Sequence, residues 1–385
     1  MSMSMSTSMS MSMSMSTSMS LPPLPLIDNC LFIDNSSWVE NMSTCSRKLQ
    51  HQCLSLRVHT GQKPALNFGS AGHLAKELRY TRYGNRHVDD QYYEDLTILL
   101  TEFFKEHPCP ADDWRGLNWC VETTRRYNDR FADEDFSLLE YKTPINCPEC
   151  DGKGTWRDTT IPCYFCLGTG LRNYMVEMPF VLPLYTHYVE KGRNEDPSQI
   201  QVMYTGRIDL PVSIPNVGIF TNDFKHVGSL GEQFWNGEFM SNQHRGYCYA
   251  FEQLTNQPVQ GFMVTAIRSK EPPQYVLANK PSPYTKKSQS PAQWWNESFV
   301  RERKVLTSGE LDYWKNNVID LCEEFFWHYE RGYMPMKTKW CSSFGKCPYF
   351  DVCSLPLADQ NFMLQSGLYT ENTWSPLHQP TQSMQ

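Results

Sequence analysis

The stretch from Gly206 to Lys225 constrains the fold of this chain more than any other. Gly206-Arg207-Ile208-Asp209-Leu210 leads through a turn at Ile214-Pro215-Asn216 into the apolar run Val217-Gly218-Ile219-Phe220, which ends in Asn222-Asp223-Phe224-Lys225. Two runs with β-branched and aromatic content around a Pro-Asn turn read as a strand hairpin. On the second strand the period of two puts Asp223 and Lys225 on one face, and Asp209 can approach them from the neighbouring strand. Charges at the end of a buried strand are costly unless paired or used. Phosphodiester cleavage is one chemistry that uses this set. It needs a hard cation on the phosphate, a deprotonated water and relief of charge on the leaving oxygen. Asp209, Asp223 and the main-chain carbonyl of Phe224 offer the oxygen ligands that Mg²⁺ or Mn²⁺ prefers, and Lys225 can orient the attacking water.

Around this hairpin the pattern alternates. Apolar residues recur at three and four over Gly69–Tyr80, Asp90–Glu106, Asp113–Phe131, Glu232–Leu254 and Ser308–Tyr333, which predicts helices. Ile200–Tyr204, Arg207–Val212, Val217–Lys225 and Val259–Ile267 have the content of strands. The expectation is a mixed α/β domain over 41–360, with a Cys-rich insertion at 145–172. Residues 1–40 open with a nearly perfect alternation of Met with Ser or Thr and continue through Pro22, Pro23 and Pro25, so they are expected to be a low-complexity tail. Residues 361–385 are polar and unpatterned, and are expected to be a second, flexible tail.

Gly206-Arg207-Ile208-Asp209 followed by Asp223-Phe224-Lys225 resembles the second and third motifs of the PD-(D/E)xK nucleases in their RecB-like branch. Two flanking segments extend the resemblance. Gly69-Ser70-Ala71-Gly72-His73 looks like the branch's first motif, in which a histidine completes the metal site, and Gln243-His244-Arg245-Gly246-Tyr247 matches its Q-x-x-x-Y motif. In a helix Gln243 and Tyr247 lie one turn apart on one face. The resemblance spans roughly Cys45 to Cys353. It implies a restriction-endonuclease-like α/β core, a mixed sheet flanked by helices, with His73, Asp209, Asp223 and the Phe224 carbonyl on the metal. Lys225, Gln243 and Tyr247 would complete the catalytic set, with Arg245 near DNA.

Seven of the fourteen cysteines fall in two compact sets that read as metal ligands and imply a reducing compartment. Cys147-Pro148-Glu149-Cys150-Asp151-Gly152-Lys153-Gly154 and Cys163-Tyr164-Phe165-Cys166-Leu167-Gly168-Thr169-Gly170 are two copies of C-x2-C-x-G-x-G, and they resemble one zinc module of the DnaJ cysteine-rich region. Four thiolates and glycines that permit tight turns suit one tetrahedral Zn²⁺. Chaperone activity would need a second pair of knuckles and a J-domain, and neither is visible. The second set, Cys341, Cys347 and Cys353, resembles the C-terminal cluster of RecB-like nucleases that carry an iron–sulfur centre. The resemblance implies a fourth ligand upstream of the histidine motif, where Cys45 stands and Cys53 competes with it. Thiolates suit a [4Fe–4S] cluster or zinc alike, and the family similarity favours the cluster.

The formal charge of −7 argues against bulk electrostatic coating of DNA. Between Arg268 and Lys304, however, eight Lys or Arg oppose three Glu, giving +5. Lys286, Lys287, Trp294 and Trp295 in this stretch are candidate contacts to phosphates and stacked bases of single-stranded DNA. The leading expectation is an end-dependent DNA exonuclease of recombination, repair or replication, with a phage as one expected source. An endonuclease of the CRISPR-adaptation or flap-cutting kind has similar motifs. A scaffold using an inactive nuclease fold is the alternative of a different class. No Walker A pattern is present, so a helicase or recombination partner would be a separate protein. No apolar run of about 18 residues and no secretory pattern are seen, which leads us to expect no membrane span and a cytoplasmic protein, in host cytoplasm if phage-encoded.

Overall fold

The computed structural model describes residues 21–60, 64–110, 113–156, 160–189, 198–278, 280–281, 290–343 and 345–371. The elements that position the site are β1 (Cys30–Asp34), α1 (Pro64–Arg82), α2 (Asp90–Glu106), α3 (Leu117–Arg130), β2 (Met178–Val189), β3 (Ser198–Ile208), β4 (Leu210–Ile214), β5 (Gly218–Val227), α4 (Glu232–Met240), α5 (Asn242–Thr255), β6 (Val259–Arg268), β7 (Phe299–Val305) and α6 (Glu310–Glu330). The fold is mixed α/β with several sheets. One has the order β1-β3-β2; the larger runs β7-β6-β5-β4 and is completed by Ser137–Leu138.

The chain passes from one sheet to the other at Asp209, between Ile208 at the end of β3 and Leu210 at the start of β4. β4 and β5 form the expected antiparallel hairpin, with Leu210 opposite Asn222, so Asp209 comes level with Asp223. β6 then adds parallel to β5, with Val264 beside Asp223. A parallel pair needs a crossover, and α4 and α5 supply it. Because α5 packs on one face of β5 and β6 and α1 on the other, these strands are buried on both sides. That is why Phe262-Met263-Val264-Thr265-Ala266-Ile267 reads as a continuous run without alternation, every residue buried. β2 alternates buried and open positions instead, having one covered face.

Two cores result. Leu31, Ile33, Trp38, Val202, Tyr204, Phe251, Trp314 and Phe325 pack under α5 and α6. Tyr80, Tyr127, Val212, Phe220, Phe224, Met263 and Phe299 fill the other face under α1 and α3. In α6 the buried Trp314, Val318, Cys322, Phe325 and Phe326 recur at helical spacing.

Several boundaries differ from expectation. The first tail ends earlier than residue 40: β1 pairs in parallel with β3, and Leu31, Ile33, Trp38 and Val39 are core residues. The Met-Ser repeat and the prolines had masked a short apolar alternation at Leu31 and Ile33. Residues 1–20 lie outside the described residues. The second tail is likewise shortened, since Leu357–Leu364 is helical and Tyr369–Glu371 pairs with Arg57–His59. Residues beyond 371 lie outside the described residues. The single helix expected over Glu232–Leu254 breaks at Ser241, whose extended backbone and hydroxyl cap begin α5. No helix among the described residues is long and apolar enough to cross a membrane.

Candidate active site

α1 carries His73 toward the bend at Asp209. Its Nδ1 lies 3.4 Å from Asp209 Oδ2 and 3.5 Å from Oε1 of Glu177, the residue preceding β2. The three ligand atoms fall within 4.8 Å of one another. Pairs of ligands on one octahedral hard cation sit about 3 Å apart, so an imidazole and two carboxylates at these distances fit Mg²⁺ or Mn²⁺. The backbone fixes the set. Glu177 donates its N–H to the Asp209 carbonyl at 2.7 Å, and the Phe224 N–H donates to Asp209 Oδ2 at 2.9 Å. Glu177 has φ 49°, a left-handed conformation uncommon outside glycine and one that aims its side chain inward.

Beside this triplet lies a second, continuous network. Lys225 Nζ is 2.8 Å from Asp223 Oδ2 and donates to Gln243 Oε1 at 2.8 Å. The Gln243 amide donates to Tyr247 Oη at 2.8 Å and to Asp223 Oδ1 at 3.3 Å. The helix spacing expected for Gln243 and Tyr247 is therefore realised on α5, one turn apart. Asp223 faces Lys225 and Gln243 and stands outside the His73–Glu177–Asp209 triplet.

Burial shapes the charges here. It works against a charged His73, but Asp209, Glu177 and Asp223 outweigh it and push this imidazole up to about 9. Burial also pushes Asp209 up to about 8, with Asp223 and Glu177 adding to it against the pull of His73. For Lys225, burial opposes the ammonium, yet Asp223 and Glu238 hold it above its ordinary range. At neutral pH His73 and Asp209 thus hold protons that a divalent cation would displace, while Lys225 stays cationic beside them.

Glu177 was not foreseen. Its signal was a lone carboxylate among Met175, Val176 and Met178 at the start of the longest strand. Arg207, within the Gly206–Asp209 motif, stands 3.7 Å from Glu177 and 3.9 Å from Glu149.

The expected DNA contacts fare differently. Arg245 is paired with Glu310 at 3.3 Å and donates to the Ser241 carbonyl, so its guanidinium is engaged within the chain. Trp294 and Trp295 are buried, the latter packed against Trp119 and Phe299, because this segment closes over the sheet. They are core residues and not a stacking surface. Lys286 and Lys287 lie outside the described residues.

The four cysteines 147, 150, 163 and 166 form one buried cluster that could bind a metal such as zinc. Cys150 Sγ and Cys166 Sγ are 3.7 Å apart, close to the roughly 3.8 Å that sulfurs around one tetrahedral Zn²⁺ would show. The Gly154 and Gly170 N–H groups each donate to a cysteine sulfur at 3.3 Å. A Cβ at Gly154 would meet the Gly168 carbonyl oxygen at 2.4 Å, and one at Gly170 the Gly152 carbonyl oxygen at 2.3 Å, so the two knuckles can approach only through glycine.

The other set is more open. Cys45, Cys341 and Cys347 line a cavity of about 220 Å³. Cys353 Sγ is 3.6 Å from His51 Nε2 and within electrostatic reach of the other three thiols. No three of these cysteines come within 4.8 Å of one another among the described residues. Cys53, the competitor of Cys45, turns instead to the Ser37 carbonyl.

In comparisons with known proteins, no family model matches the chain and no curated protein matches its sequence.

Proposed function

We propose that this chain is a metal-dependent DNA nuclease of the PD-(D/E)xK type with a restriction-endonuclease-like core, acting from free ends. The observation that carries the reading is one half-buried cluster, held by α1, the Asp209 bend, β5 and α5, in which His73 and the buried Glu177 and Asp209 abut the network of Asp223, Lys225, Gln243 and Tyr247.

His73, Glu177 and Asp209 would hold Mg²⁺ or Mn²⁺, with Asp223 and the Phe224 carbonyl as the further oxygens that the family resemblance implies, and the ion when bound would supply polarisation of the phosphate and a more acidic water. Lys225, fixed by Asp223 and Gln243, donates to the attacking oxygen and favours its hydroxide form. Gln243 uses its carbonyl on Lys225 and both amide hydrogens on Asp223 and Tyr247, so it sets the rotamer of each. Burial, with Asp209 and Asp223, holds the Tyr247 phenol well above its ordinary pKa, which keeps it a proton donor toward the phosphate. Zinc at Cys147, Cys150, Cys163 and Cys166 and a [4Fe–4S] cluster at Cys45, Cys341, Cys347 and Cys353 complete the reading as structural centres. The substrate would have single-stranded character, with unwinding supplied by a separate helicase or recombination partner.

The test is degradation of end-labelled linear and circular DNA, single- and double-stranded, with Mg²⁺ or Mn²⁺ and with EDTA. Loss of linear but not circular DNA supports the end-dependent enzyme. Nicked circles point to an endonuclease, and no cleavage by folded, metal-loaded protein points to a scaffold.

A further inference from the structure

The four-cysteine module reaches the candidate active site through charged side chains that its metal chemistry does not require. Glu149 lies between the ligands of the first knuckle, in Cys147-Pro148-Glu149-Cys150, and is buried. Arg207 bridges it to Glu177, at 3.9 Å and 3.7 Å. The second knuckle contributes through the strand that leaves it, Leu171–Tyr174. There the fully buried Arg172 donates to the Val176 carbonyl at 2.9 Å, immediately before Glu177, and to Glu77 at 2.7 Å, one turn after His73 on α1. Glu77, Glu149 and Glu177 against Arg172 and Arg207 make a buried cluster with more carboxylates than guanidiniums. Such a cluster is expensive to bury unless its geometry is fixed from outside.

We propose that Glu149 is a positioning residue which, through Arg207, sets the Glu177 carboxylate for the divalent ion, so that the four-cysteine module and the His73–Glu177–Asp209 site are energetically coupled. Arg172 is the second arm of the same device, holding the turn that carries Glu177 and the helix that carries His73. Partners that orient a metal ligand typically change metal affinity by about 10- to 100-fold when removed. The inference rests on the metal-site reading proposed above.

Mn²⁺ binding to the zinc-loaded full chain, followed by calorimetry and by loss of the free-ion electron paramagnetic resonance signal, tests it without recourse to activity. Glu149→Gln should weaken Mn²⁺ binding roughly tenfold while zinc content stays at the wild-type level. In an Arg207→Gln background the same change should have little further effect, because the bridge is already gone. Arg172→Lys, which keeps the charge but cannot make both contacts, should weaken binding similarly and serves if Glu149→Gln fails to fold. Wild-type Mn²⁺ affinity in both Glu149→Gln and Arg172→Lys, with binding still abolished by Asp209→Asn, would overturn the coupling and leave the metal site standing. Failure of the wild type to bind Mn²⁺ would defeat both.

Discussion

His73 Nδ1 stands 3.4 Å from Asp209 Oδ2, across the gap between helix α1 and the bend where the chain changes sheets. An imidazole and a buried carboxylate this close hold protons that a dication must displace. With His73 pushed up to about 9 and Asp209 to about 8, Mn²⁺ binding should strengthen as pH rises from about 6 toward 9 and release protons as it does so. Calorimetry in buffers of different ionisation enthalpy measures that release, and a pH-independent affinity would contradict it.

Gln243 ties three groups with one side chain. Gln243→Ala should lower the rate of DNA cleavage by on the order of 10²-fold with little change in DNA affinity, because Lys225 and Tyr247 lose their orientation and not their charge. A change in affinity alone would place Gln243 in substrate binding instead.

How much of this was legible in the sequence varies with the physics of each part. That Asp209, Asp223 and Lys225 come together was legible in the strand period and the hairpin, while Gln243 and Tyr247 entered through the resemblance to a Q-x-x-x-Y motif, whose helix spacing puts them on one face. The four cysteines of the knuckles announced themselves by spacing. Glu177 and Glu149 were not found, because their role depends on long-range approach of β2, the knuckle and α1, for which no local period exists. Trp294, Trp295 and Arg245 misled for a related reason: aromatic and basic residues look alike in sequence whether they face DNA or pack inside, and only tertiary context assigned them to the core and to Glu310. The strand at Cys30–Asp34 was hidden by the low-complexity run before it.

Lys76 gives a test of the fold that does not depend on function. It is buried, lies 4.0 Å above the Tyr127 ring, and its Nζ has no hydrogen-bond partner among the described residues. Burial lowers it to about 7 from its ordinary 10.5. The folded state therefore binds fewer protons than the unfolded chain between these values, and stability from this group rises with pH from about 7 to 10.5, with the full penalty present below that window. Lys76→Met should stabilise the protein at pH 7 by on the order of 2–3 kcal/mol, the ring contact offsetting part of the gain. Equal unfolding free energies for the two proteins would show that the ammonium is better solvated than its burial implies.

The open cysteine site and the compact one should respond differently to substitution. Cys347→Ser should remove an absorbance band near about 400 nm from anaerobically purified protein and leave zinc content unchanged, whereas Cys166→Ser should do the reverse. Zinc at both sites, with no visible band in the wild type, would contradict the iron–sulfur assignment.

Lys225, held between Asp223 and Gln243, is the residue on which the proposed metal-dependent phosphodiester cleavage most depends. The most direct measurement compares wild type with Lys225→Ala on end-labelled linear DNA with Mg²⁺, with Mn²⁺ and with EDTA. Cleavage by the wild type should require the ion and fall by at least about 10³-fold in the variant while the protein stays folded. Cleavage that persists in EDTA, or that is unchanged in Lys225→Ala, would contradict it.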